Sequence, residues 1–213
     1  MKPTLYLDVD DTIIAKCHTG SGFDLRPGVM TQLRVLSRLF KVRWLTCWPR
    51  EPIFKLTKLL YGMRINRDVT YANWGHGDPW RKASYVLDPK AAKNWWWLED
   101  PLCHEEMEAL ESHNLLHRYV RVEPYGNWAF LDAVNELFRR AGIGDNEIKA
   151  VGGKPEWFSK EAILTENPAV ENMSEVLSMI KLIAGVEHMT PEQRLQQVQK
   201  YVQSQINSLY PVK

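Results

Sequence analysis

Apolar and polar positions alternate in blocks along this chain. Short apolar runs end abruptly at polar residues, and between them lie stretches whose apolar residues recur every three or four positions. The first run, Leu5 to Leu7, stops at Asp8 and predicts a strand. A loop rich in small and polar residues follows around HTGSG (18–22). Arg26-Pro27-Gly28 then opens a helix with Val29, Leu33, Leu36 and Leu39 on one face. KVRWLT (41–46) predicts a second strand. Pro49 breaks it, and EPIFKLTKLLYG (51–62) predicts a helix ending near a glycine. DVTYANW (68–74) predicts a third short strand, and a polar turn, GHGDPW, leads to a helix over Lys82–Leu87. WWWLED is the fourth strand and HRYVRVEP (117–124) the fifth. NWAFLDAVNELFRRAG (127–142) is a helix stopped by Gly142.

Strands alternating with helices predict an α/β fold: a mostly parallel, Rossmann-like sheet between two helical layers, α/β/α. This pattern fills residues 1–142. Residues 143–213 differ. An irregular stretch with glycines and prolines (144–172) precedes two amphipathic helices. One carries Met173, Val176, Leu177, Ile180 and Ile183; the other carries Leu195, Val198, Val202, Ile206 and Leu209. These stripes can pack on the core or on each other, cover a site, or join two copies into an oligomer.

Composition narrows the picture. The chain has 213 residues, 45% hydrophobic and 25% charged, as in an ordinary globular protein. A formal net charge of +1 gives no overall attraction to nucleic acid or anionic lipid, so a nucleic-acid partner is possible but unsupported. No apolar run approaches the roughly 18 residues of a membrane span. Acids from Asp8 onward interrupt any signal-peptide core, and a cytoplasmic location is expected. Cys17, Cys47 and Cys103 lack CxxC spacing, which argues for reduced thiols.

In an open parallel sheet, ligands bind beyond the carboxyl ends of the strands, so the polar residues there are the candidates. Asp8 and Asp10 follow strand one, with Thr12 close behind. Two carboxylates at one strand end invite a divalent cation, because one hard ion relieves their repulsion. Thr46 closes strand two, Lys82 opens the helix before strand four, and Glu99-Asp100 end strand four. Each has a plain alternative: a solvated acidic turn, a turn threonine, a surface lysine, a solvated loop. Trp95, Trp96 and Trp97 also read in two ways, as stacking platforms for bases or as the buried body of the fourth strand.

Taken together, DxDxT, threonine, lysine and an acid pair, in this order, resemble the motifs of haloacid dehalogenase-like (HAD) phosphatases. The segment LRPGVMTQLRVLSRLFKVRWLT is similar to the helix start and strand of the family's carboxy-terminal-domain-phosphatase-like members. The resemblance covers about residues 3 to 140. It implies Asp8 as nucleophile, forming an aspartyl-phosphate, and Asp10 as general acid and then base. Thr46 and Lys82 would hold the phosphoryl group. Asp8, the main-chain carbonyl of Asp10, Glu99 and Asp100 would hold Mg²⁺. Asp10 favours phosphate transfer to water over dehalogenation, since a halide leaves without a proton. The pair here is Glu-Asp where the family more often has Asp-Asp. Lys82 is preferred over Lys90 and Lys93, which lie too near the strand to start the preceding helix.

Neither the stretch between Asp8 and Thr46 nor that between Thr46 and Lys82 has room for a cap domain. The resemblance therefore implies an open, uncapped site for a phosphorylated small molecule or macromolecule. IIAKCHTGSGFDL (13–25) is a candidate flap, and Thr12, Trp48 and Arg50 are candidate substrate contacts. A HAD-fold binding or regulatory protein with weak turnover is the alternative reading.

Overall fold

The computed structural model describes residues 2–16, 23–46, 53, 56, 70–71, 82–88, 90 and 92–165. Its first element is strand β1, Thr4–Leu7, buried along its whole length. Ile14–Lys16 (β2) and Phe23–Leu25 (β3) form an antiparallel pair. Helix α1 spans Val29–Leu39, β4 spans Lys41–Trp44 and β5 is the two residues Thr70–Tyr71. Helix α2 (Lys82–Leu87), β6 (Trp95–Glu99), helix α3 (His104–Ser112), β7 (Tyr119–Arg121) and helix α4 (Ala129–Ala141) follow. Two further short helices, α5 (Asp145–Ala150) and α6 (Lys160–Thr165), come last among the described residues.

The main sheet has the order β5-β4-β1-β6-β7, and every neighbouring pair is parallel. The protein is therefore α/β, with a Rossmann-like parallel sheet. From β1 the chain steps outward through β4 to β5, then returns to β6 on the other side of β1. That reversal leaves a crevice between the carboxyl ends of β1 and β6, the usual ligand position in such sheets.

Alternation along the strands divides the core in two. Leu5, Leu7, Val42 and Leu98 face α1 and α4. Tyr6, Trp95, Trp97 and Tyr119 face α2 and α3. A strand covered on both faces has consecutive apolar side chains, and the tryptophan run is such a strand. Trp95 and Trp97 are buried on one face, while the partly buried Trp96 packs on the other. These three indoles are core, not an exposed stacking platform.

Three stretches differ from the sequence-based expectation. Helix α3 was not anticipated between strands four and five. Its buried residues are only Glu106 and Leu110, so HEEMEALES shows no apolar stripe. The expected loop at 13–25 contains the β2–β3 pair, whose three-residue strands are too short to reveal a period. The expected irregular stretch after Gly142 holds α5 and α6, and Ile148, Phe158 and Ile163 there join the core on the α1 face. Arg38 Nη1 donates to the Val151 carbonyl at 2.7 Å, fastening this segment to α1. Ile53 and Leu56 are helical and buried. The rest of the expected 51–62 helix, most of 68–74 and the two C-terminal amphipathic helices lie outside the described residues.

Gly28 caps α1 at φ 76°, a left-handed conformation. A Cβ there would lie 2.5 Å from Ile163 Cδ1. Gly28→Ala adds backbone strain and overpacking, each worth about 1–3 kcal/mol. Urea unfolding is expected to show a loss of about 2–4 kcal/mol, partly recovered in the double variant with Ile163→Ala.

Candidate active site

Beyond Leu7 the chain stays inside the protein. Asp8 is 3% exposed, and its amide donates to the Leu98 carbonyl at 3.1 Å, extending the β1–β6 ladder by one residue. The amides of Ile13 and Ile14 both donate to the Val9 carbonyl, so residues 9–14 close into a tight turn. Asp11 takes φ 52° within it, a left-handed conformation aspartate tolerates better than most residues. Thr12 is fully buried, and its hydroxyl accepts the Asp100 amide at 3.1 Å. The turn after β1 is thus tied to the end of β6.

Glu99, the last residue of β6, points to the α2 face, as Trp97 does. Lys82 begins α2, and its ammonium reaches across to both acids. Nζ donates to Asp8 Oδ1 at 2.9 Å and to the two Glu99 oxygens at 2.8 and 2.9 Å. Trp97 Nε1 donates to Glu99 Oε2 at 3.0 Å, so this indole N–H has its partner inside the site. Tyr119 donates its hydroxyl to the Asp100 carbonyl at 2.8 Å, holding the backbone just past Glu99.

One carboxylate oxygen from each of Asp8, Glu99 and Asp100 lies within 4.8 Å of the others. Burial pushes the Asp8 carboxyl above its ordinary range, against the opposing pull of Lys82. Glu99 is pushed up well above its ordinary range, first by burial and then by repulsion from Asp8, while Lys82 again opposes. Three carboxyl groups crowd one ammonium, and one divalent cation would favour their ionised forms by relieving the mutual repulsion. Oxygens that share a Mg²⁺ ion lie roughly 3–4 Å apart, given bonds of about 2.1 Å, so the cluster fits such an ion after small adjustments. Asp8, Asp100 and Glu99 would supply the oxygens. Glu99 already accepts from Lys82 and Trp97, and it also shares a side-chain hydrogen bond with Asp100.

The other sequence candidates fall around this centre. Asp10 is half-buried one turn past Asp8, and its charge helps to raise the Asp8 pKa. Its carboxylate is not in the three-acid cluster. Thr46 is 1% exposed and follows β4; the preceding amide, Leu45, donates to the Leu7 carbonyl, so Thr46 stands just past the carboxyl end of β4, at the same sheet edge as Asp8. Lys90 and Lys93 are exposed, while Lys82 is buried in the cluster. Trp48 and Arg50 lie outside the described residues, as do Cys17, Cys47 and most of the candidate flap's tip. Trp97, Tyr119 and Arg26 were not singled out from the sequence as site residues. Only the alternation that puts Trp97 and Glu99 on one face could have pointed to the first.

Compared with known proteins, the chain matches no family model and no curated protein. Among the described residues no helix is long and apolar enough to cross a membrane.

Proposed function

We propose that this protein is a Mg²⁺-dependent phosphoric monoester hydrolase of the HAD type, working through an aspartyl-phosphate on Asp8. One observation carries the reading: a buried lysine bonded to two acids within a three-carboxylate cluster, at the crevice between β1 and β6. Nucleophile, charge screen and cation ligands are then contiguous, as attack on an anionic phosphate requires.

In the proposed reaction an Asp8 oxygen attacks phosphorus and the ester oxygen departs, taking a proton from Asp10. Water then attacks the acyl phosphate, Asp10 recovers a proton, and inorganic phosphate leaves with Asp8 restored. Lys82 and Thr46 orient the phosphoryl oxygens. Bound Mg²⁺ would supply charge neutralisation between Asp8 and the phosphate. Glu99 holds Lys82 in place, so the longer acid is accommodated without being the main ligand. An uncapped site suits a phosphorylated small molecule or macromolecule. Phosphorylated nucleic-acid ends or nucleotides are a variant that the net charge of +1 does not favour.

The test is hydrolysis of a panel of phosphate esters, including a generic aryl phosphate, with Mg²⁺ and with EDTA. Turnover that needs the metal supports the proposal. A second reading, a binding or regulatory protein on the same fold, is favoured by the full engagement of Glu99 with Lys82 and Trp97. Protein that binds Mg²⁺ and hydrolyses no ester would establish that reading instead.

A further inference from the structure

We infer that Arg26 is a positioning residue, whose guanidinium locks the turn carrying Asp10 and Thr12 to the loop between β7 and α4. Its catalytic consequence rests on the phosphatase reading; the lock itself does not.

Arg26 is 3% exposed, a rare condition for an arginine. Its partners are main-chain carbonyls from two separate parts of the chain. Nη2 donates to Asp11 at 2.6 Å, to Pro124 at 3.0 Å and to Glu123 at 3.1 Å. Nη1 donates to Gly126. Two hydrogens on Nη2 serve three oxygens, so the Asp11 carbonyl lies within about 6 Å of those of Glu123 and Pro124. The divergent, planar set of N–H donors is what makes this possible, and a lysine ammonium cannot reproduce it.

Burying a cation only to anchor a loop is costly, since neutral donors can hold carbonyls. Here the cation has a second use. Burial pulls the Arg26 guanidinium below its ordinary range, and the nearby Asp11 and Asp100 oppose that by favouring its charged form. The carbonyl it grips belongs to Asp11, the left-handed residue that re-aims the chain directly after Asp10. On the other side of Asp11, Thr12 holds the Asp100 amide. Arg26 therefore acts on Asp10 and Asp100 through the backbone, touching neither reacting atoms nor substrate. Misplacing a general acid by about 1 Å can reduce rates up to 100-fold, so such a lock bears on turnover more than on substrate binding.

The test compares wild type with Arg26→Lys, which keeps the charge and loses the fork. Peptide-level amide hydrogen exchange is read at residues 9–14 and 122–127, alongside kcat, KM and Mg²⁺ affinity by calorimetry. The expected result is faster exchange in both segments together. A fall in kcat on the order of tenfold is expected, with KM within about threefold. Weaker Mg²⁺ binding is expected as well. If Arg26→Lys does not fold, Pro124→Gly loosens the gripped loop with the guanidinium left in place, and should give the same pattern at smaller size. Wild-type exchange in either segment of a folded variant overturns the lock. An unchanged kcat where exchange has risen overturns the positioning role and leaves the lock a purely structural one. An inactive wild type overturns the phosphatase reading instead, and the lock is then decided by exchange alone.

Discussion

Lys82→Met is expected to cost this protein about 3–5 kcal/mol of stability near neutral pH, the usual penalty for stripping the partner from buried charges. Lys82 Nζ is the cation bonded to both Asp8 and Glu99, and both acids are nearly inaccessible. Methionine keeps the bulk of the side chain and removes the charge, so packing loss is small. The size of the loss should depend on pH. In wild type, burial already raises both carboxyls, and Lys82 is the influence that restrains them. An acid whose pKa is raised by folding binds more protons in the native state. Its contribution is complete below its unfolded pKa of about 4 and declines as pH rises through the folded value. The variant should therefore lose more stability at pH 8 than at pH 5, and Mg²⁺ should recover part of it. Urea titrations at the two pH values, each with and without Mg²⁺, make the check. An equal loss at both would show that the lysine matters here for packing, not charge.

Asp8→Asn should move activity and stability in opposite directions. As the nucleophile of the proposed reaction, Asp8 has no substitute, and turnover of a good phosphate ester should fall on the order of 10³-fold or more. The same change removes one of three crowded negative charges. Because burial works against the ionised form of Asp8, a neutral isostere should leave the metal-free protein as stable as wild type or more so. Mg²⁺ should then stabilise the variant less than it stabilises wild type, since one of its oxygens has lost its charge. Initial rates and thermal unfolding on one preparation suffice. Lower stability in metal-free Asp8→Asn would show that Asp8 is a structural partner of Lys82 before anything else.

Much of the candidate site was legible in the sequence because Asp8, Thr46 and Glu99 stand where an apolar strand stops. LYL before Asp8, VRWLT around Thr46 and WWWL before Glu99 mark strand ends directly, and parallel pairing brings those ends to one edge. The short helix before the fourth strand similarly marked Lys82. Helix α3 was invisible for the opposite reason: with so little buried surface it leaves no periodic trace. The short pieces after Gly142 escaped as well, since six residues are too few to show a helical period.

By itself the sequence determined the alternation of strands and helices, the core role open to the tryptophan run, and the set of polar residues at the strand ends. These are properties of residue type and spacing, and a local pattern is enough to carry them. Only the tertiary structure decided who meets whom. That Lys82 bonds Asp8 and Glu99 together and that Arg26 grips two distant loops both depend on the return of the chain from β5 to the other side of β1. Such pairings join residues far apart in the chain, and their energies depend on burial, which spacing does not encode. The NWWWLED stretch combines both: its apolar residues announce a strand, while folding places the last indole and the first acid of that strand in contact with each other.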